Sequence, residues 1–383
     1  MMSSAVAESA STDGRRRVDV DAPLNLLGLD RVALLALLDE MGEKPFRASQ
    51  LLKWVHARRV TRFEDMTDLS RALRSRLAER LEIRVPRVVF EQTARDGTRK
   101  WLLELDGANA VETVLIPEAR RDTLCVSSQV GCALACSFCS TGVQGFNRNL
   151  SVAEIIGQLW FVNGILRETD PHRAISNVVF MGMGEPLLNM RSVIPAARLM
   201  QDDHAYGLSK RRVTISTSGI VPNLYRLADL TDVSLAVSLH APTDALRDQL
   251  VPINRQHPIA ELLAACRHYI ADKPHRMITW EYVMLDGVND GDLQARQLLR
   301  LLRGIPSKVN LIPFNPFPET RYRRSPESRV LAFARILQAG GLTCTVRRTR
   351  GDDIDGACGQ LVGRVDDKIR RSERRRGAEA GSA

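Results

Sequence analysis

Three cysteines stand close together in GCALACSFCST: Cys132, Cys136 and Cys139, spaced C-x3-C-x2-C. Thiolates are soft ligands that suit iron–sulfur clusters or zinc. Structural zinc normally closes its shell with a fourth ligand, often from a second Cys or His pair, and no such pair follows here. Three thiolates on a four-iron cluster instead leave one iron open. An open iron beside a bound sulfonium can pass it an electron and break a carbon–sulfur bond.

Further polar residues recur at the ends of apolar stretches. Met181-Gly182-Met183-Gly184-Glu185-Pro186 follows one such stretch; its glycines allow close backbone approach, and Glu185 can accept from a ligand's amino group. Ser216 in VTISTSG, Ser238-Leu239-His240 in VSLH and Asn315 in PFNPF occupy equivalent places. Singly each reads as a turn or cap residue; together, in register with the cysteine loop, they point to one pocket. Cys358 sits between Gly356 and Gly359 after Arg347, Arg348 and Arg350, an electropositive setting that favours thiolate. On their own, Cys125 reads as a small buried hydrophobe and Glu112 as an outward strand carboxylate. Cys266 and Cys344 lie in apolar patterns and are assigned no chemistry.

These residues need a scaffold. Residues 29–41 have helical apolar spacing and stop at Gly42, a second helix is predicted over 45–56, and a third over 70–81. From residue 87 the period changes to two, and 88–92 and 100–105 flank Asp96-Gly97, a hairpin signal, with another strand at 111–116. Beyond that, strands predicted near 124–130, 177–180, 213–216, 233–238, 278–284, 308–313 and 342–346 alternate with helices near 152–163, 193–201, 223–228, 259–271, 293–302 and 328–338. Six strand–helix units argue for parallel strands with right-handed crossovers. A doubly wound sheet has the same local pattern. Polar motifs at successive strand ends favour an α/β fold built as a partial (βα)6 TIM-type barrel, carrying a small N-terminal helical accessory domain and a β-hairpin extension. The expected divisions are a disordered arm (1–22), the helical domain (23–86), the β extension (87–117), the core (118–353), a cysteine loop (354–366) and a basic disordered tail (367–383).

The 383 residues are 44% hydrophobic and 26% charged, which excludes a wholly disordered chain, a fibrous repeat and a small disulfide scaffold. Fifty-four Lys+Arg against 45 Asp+Glu leave a net charge of +9, consistent with an anionic partner. No apolar run approaches the ~18–20 residues that span a bilayer. With no secretory signal at the start either, a cytoplasmic, membrane-free protein with reduced cysteines is expected.

The cysteine spacing, with Phe138 just before the last cysteine, matches the signature of the radical S-adenosylmethionine (SAM) superfamily. The segments VETVLIP, CVSSQVGCALACSFCSTG and VRRTRGDDIDGACGQL closely resemble the dual-specificity RNA adenine carbon-2 methyltransferases, from about the first predicted helix to Leu361. Where that family usually has Ala-Ala before the late cysteine, this chain has Gly356-Ala357. The resemblance implies a [4Fe–4S] cluster on Cys132, Cys136 and Cys139, with SAM contacted by Gly184, Glu185, Ser216, Ser238, Leu239, His240 and Asn315. It further implies that Cys358 carries the methyl group, Cys125 releases the product and Glu112 accepts a proton. The implied substrates are an adenine of 23S rRNA and the adenine 3′ to the anticodon in tRNAs. The resemblance also implies an accessory domain that helps to dock RNA; an external electron donor of the flavodoxin type is expected, and a monomer is the simplest state. Basic clusters at 210–212 and 321–324, with Tyr322 as a stacking ring, are candidate RNA contacts. The related adenine carbon-8 rRNA methyltransferase, which shares the two extra cysteines, is the nearest rival. Two rivals come from other classes: a glycyl-radical activase, which would not require Cys358, and a zinc-stabilised RNA-binding protein, which predicts zinc in place of iron and sulfide.

Overall fold

The computed structural model describes residues 23–364, apart from 106–108, 120, 274 and 319. The terminal arms expected at 1–22 and 367–383 lie outside the described residues. Chain order begins with β1 (Leu24–Asn25), α1 (Arg31–Glu40), α2 (Phe46–Leu52), α3 (Arg71–Arg80) and β2 (Leu81–Glu82). Asp30 caps α1 by accepting the Ala33 N–H at 2.9 Å, and Ser70 caps α3 through the Leu73 N–H at 3.2 Å. A π turn over Lys53–Ala57 carries α2 on to the end expected from sequence. β1 pairs with β2, tying the two ends of this module together.

Then come β3 (Arg87–Thr93), β4 (Arg99–Glu104), β5 (Ala110–Glu118) and β6 (Arg121–Cys125). The expected hairpin turns at Gly97, whose φ of +83° lies in the region that favours glycine. The strand expected over 124–130 ends at Cys125, because the chain then leaves the sheet to make β7 (Gln129–Gly131) and, after α4 (Ser140–Gln144), its antiparallel partner β8 (Phe146–Asn149). The cysteine loop is the connection inside that small hairpin. Six helical crossovers follow: α5 (Val152–Thr169), β9 (Asn177–Phe180), α6 (Met190–Gln201), β10 (Val213–Thr217), α7 (Val221–Leu230), β11 (Ser234–Ser238), α8 (Asp244–Leu250), α9 (Ile259–Ile270), β12 (Ile278–Met284), α10 (Asp292–Leu301), β13 (Ser307–Pro313), α11 (Glu327–Ala339) and β14 (Thr343–Val346). α8 is an extra helix, not expected from sequence, between β11 and α9.

Strands β6 and β9–β14 are parallel and adjacent in chain order, as right-handed βα units require. They form the partial barrel. The β extension is continuous with it: β5 pairs antiparallel with β6, so β3, β4 and β5 prolong the barrel's own sheet into ten strands. One hydrophobic core runs from the N-terminal helices through the barrel. Trp160 of α5 donates its indole N–H to the Val55 carbonyl at 2.8 Å, and Arg59 lies over the same ring. No helix among the described residues is long and apolar enough to cross a membrane.

Gly28 marks the closest approach between the helical module and the barrel. A Cβ there would lie 2.6 Å from the backbone nitrogen of Ala153 at the start of α5. Gly28→Ala is expected to cost about 1–3 kcal/mol through forced backbone displacement, read as a lower urea midpoint at unchanged slope.

Candidate active site

The ends of β9, β10, β11 and β13 surround a cavity of about 960 Å³, mouth included. Cys132, Cys136 and Cys139 line it from the cysteine loop. Gly184 and Glu185 enter after β9, Ser216 from β10, Ser238 and His240 from β11, and Asn315 after β13. Cys358 closes another wall. This is the carboxyl end of the parallel strands, where barrels place their sites.

Several of these positions are fixed by buried hydrogen bonds. Gly184 has φ +96°, and a Cβ there would lie 2.4 Å from the Gln129 side chain. That close approach lets Gln129 Oε1 accept the Glu185 N–H at 2.8 Å. The Glu185 carboxylate accepts N–H groups from Ser218 at 2.8 Å and Leu187 at 3.0 Å, while burial pushes its pKa up to about 7. His240 adopts φ +60° and accepts the Val283 N–H on Nδ1 at 3.0 Å. Burial and the Arg247 charge lower its pKa to about 3, so the neutral ring carries its proton on Nε2. Its ring meets that of Phe138 edge-on at 4.5 Å.

The three loop thiols suit a soft metal group. Burial pushes Cys136 up to about 12 and raises Cys132 and Cys139 as well, with neighbouring cysteines adding to the effect. Deprotonation without a metal is therefore costly, and a bound metal group offsets it by taking the proton's place. Among the described residues, no three His, Cys, Asp or Glu side chains gather around a single-ion position. What fits an iron–sulfur cluster is the chemistry of the donor set: three soft thiols from one loop, all lining the cavity.

Cys358 reaches this wall because the C-terminal segment docks on the cysteine loop. Ser140 donates its N–H to the Gly359 carbonyl at 2.8 Å, and Thr141 Oγ1 donates to the Leu361 carbonyl at 2.6 Å. Asn315 Nδ2 donates to the Cys358 carbonyl at 3.3 Å. The pKa of Arg347 is raised, chiefly by the Cys358 charge, and the two residues line the same cavity. Cys125, at the end of β6, is buried; desolvation and then the Cys358 charge push its pKa up to about 12.

The alternation of β4, β5 and β6 sets the remaining residues. Lys100 and Cys125 both pair with Val114, and Glu112 is two residues before it, so all three side chains lie on one sheet face. Glu112 is buried there, with Oε1 3.1 Å from Lys100 Nζ and Oε2 accepting the Val362 N–H at 3.0 Å.

A model of the ribosomal RNA large subunit methyltransferase N-terminal domain matches residues 24–83, and the radical SAM superfamily model matches residues 126–299. The dual-specificity RNA methyltransferase RlmN of Alkalilimnicola ehrlichii is 68% identical over 92% of this chain and 97% of its own length. The chain belongs to the RlmN family of radical SAM RNA methyltransferases. Its namesake from Halorhodospira halophila is 60% identical over 90% of the chain and 95% of its own length. Among solved structures, a radical SAM methyltransferase from Sphaerobacter thermophilus superposes with a TM-score of 0.82 at 43% identity, covering 88% of this chain and 99% of that one.

In this RlmN-family chain the cavity gathers most of the residues singled out from sequence. Leu239 is placed otherwise: its side chain is in the core, its N–H donates to the Glu281 carbonyl and its own carbonyl accepts from Arg247. Glu112 is likewise outside the cavity lining, and it faces the C-terminal segment rather than solvent. Tyr322, expected as an exposed stacking ring, is buried against Phe314 with its hydroxyl 2.9 Å from Ser137 Oγ. Its apolar ring is worth more in the second hydrophobic cluster than in water. Lys210 of the first basic cluster is paired with Asp232.

Sequence reasoning missed Gln129, Lys100, Arg347's contact with Cys358, and above all Arg247. Arg247 on α8 is fully buried and donates to the carbonyls of Ser218 (2.6 Å), Ser238 (3.1 Å) and Leu239 (3.1 Å) and to Asn254 Oδ1 (2.8 Å). It ties the ends of β10 and β11 to each other. Arg247→Met leaves three buried carbonyls without this donor and is expected to cost about 3–5 kcal/mol, measured by denaturant unfolding; a loss below about 1 kcal/mol contradicts that role.

Proposed function

We propose that this enzyme methylates carbon 2 of an adenine in 23S rRNA and of the adenine 3′ to the anticodon in tRNAs, with Cys358 as the carrier of the carbon. The observation that supports this reading is the placement of Cys358: in the wall of the cavity that holds the three loop cysteines, with Arg347 in the same lining, and near enough to Cys125 for one thiol's charge to raise the other's pKa. Carbon 2 lies between two ring nitrogens and is a poor nucleophile, so direct attack on a sulfonium methyl is unfavourable. A thiolate is among the best nucleophiles a protein offers.

Cys132, Cys136 and Cys139 would hold a [4Fe–4S] cluster, with Gly184, Glu185, Ser216, Ser238, His240 and Asn315 around SAM. Together these groups supply, per turnover, one methyl group and a one-electron route for removing one hydrogen atom, at the expense of two SAM molecules and an external reductant of the flavodoxin type.

The protein's own residues do the rest. Cys358, in the cavity wall with Arg347, gives up its proton and takes the methyl group to become a thioether. Once a hydrogen has been removed from that methyl, the remaining methylene on Cys358 sulfur bonds to carbon 2 and links enzyme to RNA. Glu112 accepts the ring proton as one electron passes from the adduct back to the external carrier that supplied one earlier in the turnover. Cys125 then attacks the Cys358 sulfur: a sulfur–sulfur bond forms, the sulfur–carbon bond breaks, and the freed carbon takes up a proton to become the product methyl. Two electrons and two protons from outside restore the thiols. Methylation also prepares Cys125 for its step. A thioether at Cys358 has no charge, so the repulsion that helps to raise the Cys125 pKa vanishes while Arg347 continues to favour the thiolate.

Cys358→Ala is expected to abolish transfer while the cluster's iron and sulfide content is unchanged. Cys125→Ala is expected to accumulate a covalent protein–RNA adduct under reducing, SAM-replete conditions. Normal turnover in the first variant, or no adduct in the second, overturns the corresponding role. Nuclease mapping that finds the methyl at carbon 8 reassigns the substrate atom.

A further inference from the structure

The segment carrying Cys358 is irregular backbone, yet it is held at both flanks by one buried ion pair. On its N-terminal side the Asp355 carbonyl accepts from Lys100 Nζ at 3.3 Å. On its C-terminal side the Val362 N–H donates to Glu112 Oε2 at 3.0 Å. The two side chains meet at 3.1 Å on the sheet face that also bears Cys125. Both are nearly buried, with side chains 8% and 10% exposed. Asp355 adopts φ +49°, a left-handed conformation that a non-glycine residue holds only when its surroundings enforce it.

We infer that Lys100 is the positioning residue for Cys358: its ammonium, shared between Glu112 and the Asp355 carbonyl, sets the distance between the Cys358 loop and the face carrying Cys125. A buried ammonium needs its counter-charge and its acceptors together, so the pair holds the loop as a unit. Resting on the proposed proton acceptance by Glu112, a consequence follows. A protonated Glu112 no longer balances the Lys100 charge, which loosens the loop at the stage when Cys358 sulfur must part from the product carbon.

The test needs neither RNA nor methyl transfer, so its failure is separable from failure of the proposed reaction. Cluster-loaded enzyme is equilibrated anaerobically with reduced and oxidised glutathione, and the Cys125–Cys358 disulfide is quantified by mass spectrometry. The reaction is two thiols plus oxidised glutathione giving one disulfide plus two reduced glutathiones. In Lys100→Met the equilibrium constant is expected to fall at least tenfold, since a loosened loop lowers the effective concentration of one thiol at the other. Amide exchange in the 355–362 peptide rises at least tenfold while β9–β12 are unchanged. Lys100→Arg, which keeps the charge, restores most of both. If Lys100→Met does not fold, the neutral pair Lys100→Met/Glu112→Gln replaces it, with the same expected fall. A constant within twofold of wild type together with unchanged exchange overturns the inference.

Discussion

The Ser140 N–H to Gly359 carbonyl hydrogen bond joins the two parts of the chain on which the site depends. Cys358 and the three loop cysteines are more than 200 residues apart in sequence, and neither loop contributes to the other's secondary structure. Buried irregular backbone must find partners for its N–H and C=O groups. Here the Gly359 and Leu361 carbonyls find theirs at Ser140 and Thr141, and the Val362 N–H finds Glu112. The C-terminal segment is therefore satisfied only when the cysteine loop and the β extension are both in place, which puts Cys358 at the cavity wall.

The β extension completes this arrangement. Because β5 runs antiparallel to β6 in the barrel's own sheet, the period-two alternation of the strands places Glu112 and Lys100 on the face that carries Cys125. A barrel alone presents Cys125 as one more buried strand end. The added strands give it a floor of charged groups and give the C-terminal segment a surface to lie on. On the opposite wall Arg247 does analogous work, joining three carbonyls whose strands carry the residues proposed to face SAM.

Much of this was legible in the sequence because it is local. The C-x3-C-x2-C spacing confines three thiols to one loop, the Asp96-Gly97 signal fixes the hairpin, and alternating periods two and 3.6 give the six units. What could not be read depends on distant partners. DALRDQL is not expected as a helix at all, and nothing in it shows that Arg247 faces three carbonyls at the ends of β10 and β11. Glu112 looks like an outward strand carboxylate until the segment 355–362 covers that face. Tyr322 sits among arginines and reads as exposed, yet its ring fills a gap beside Phe314. Strand β6 stops short of the expected end because Ser127 and Ser128 turn to other partners: the Ser127 N–H donates to Gln158 Oε1 at 2.8 Å and the Ser128 N–H to the Met183 carbonyl at 2.9 Å.

The central claim is that one carbon rests on a protein sulfur before it reaches the base. SAM bearing a CD3 group, supplied to enzyme whose Cys358 is unmethylated at the start, tests it most directly when the product adenine is weighed. Passage through a methylene on Cys358 predicts a product methyl with two deuteriums and one solvent-derived hydrogen. A product carrying all three deuteriums contradicts the account.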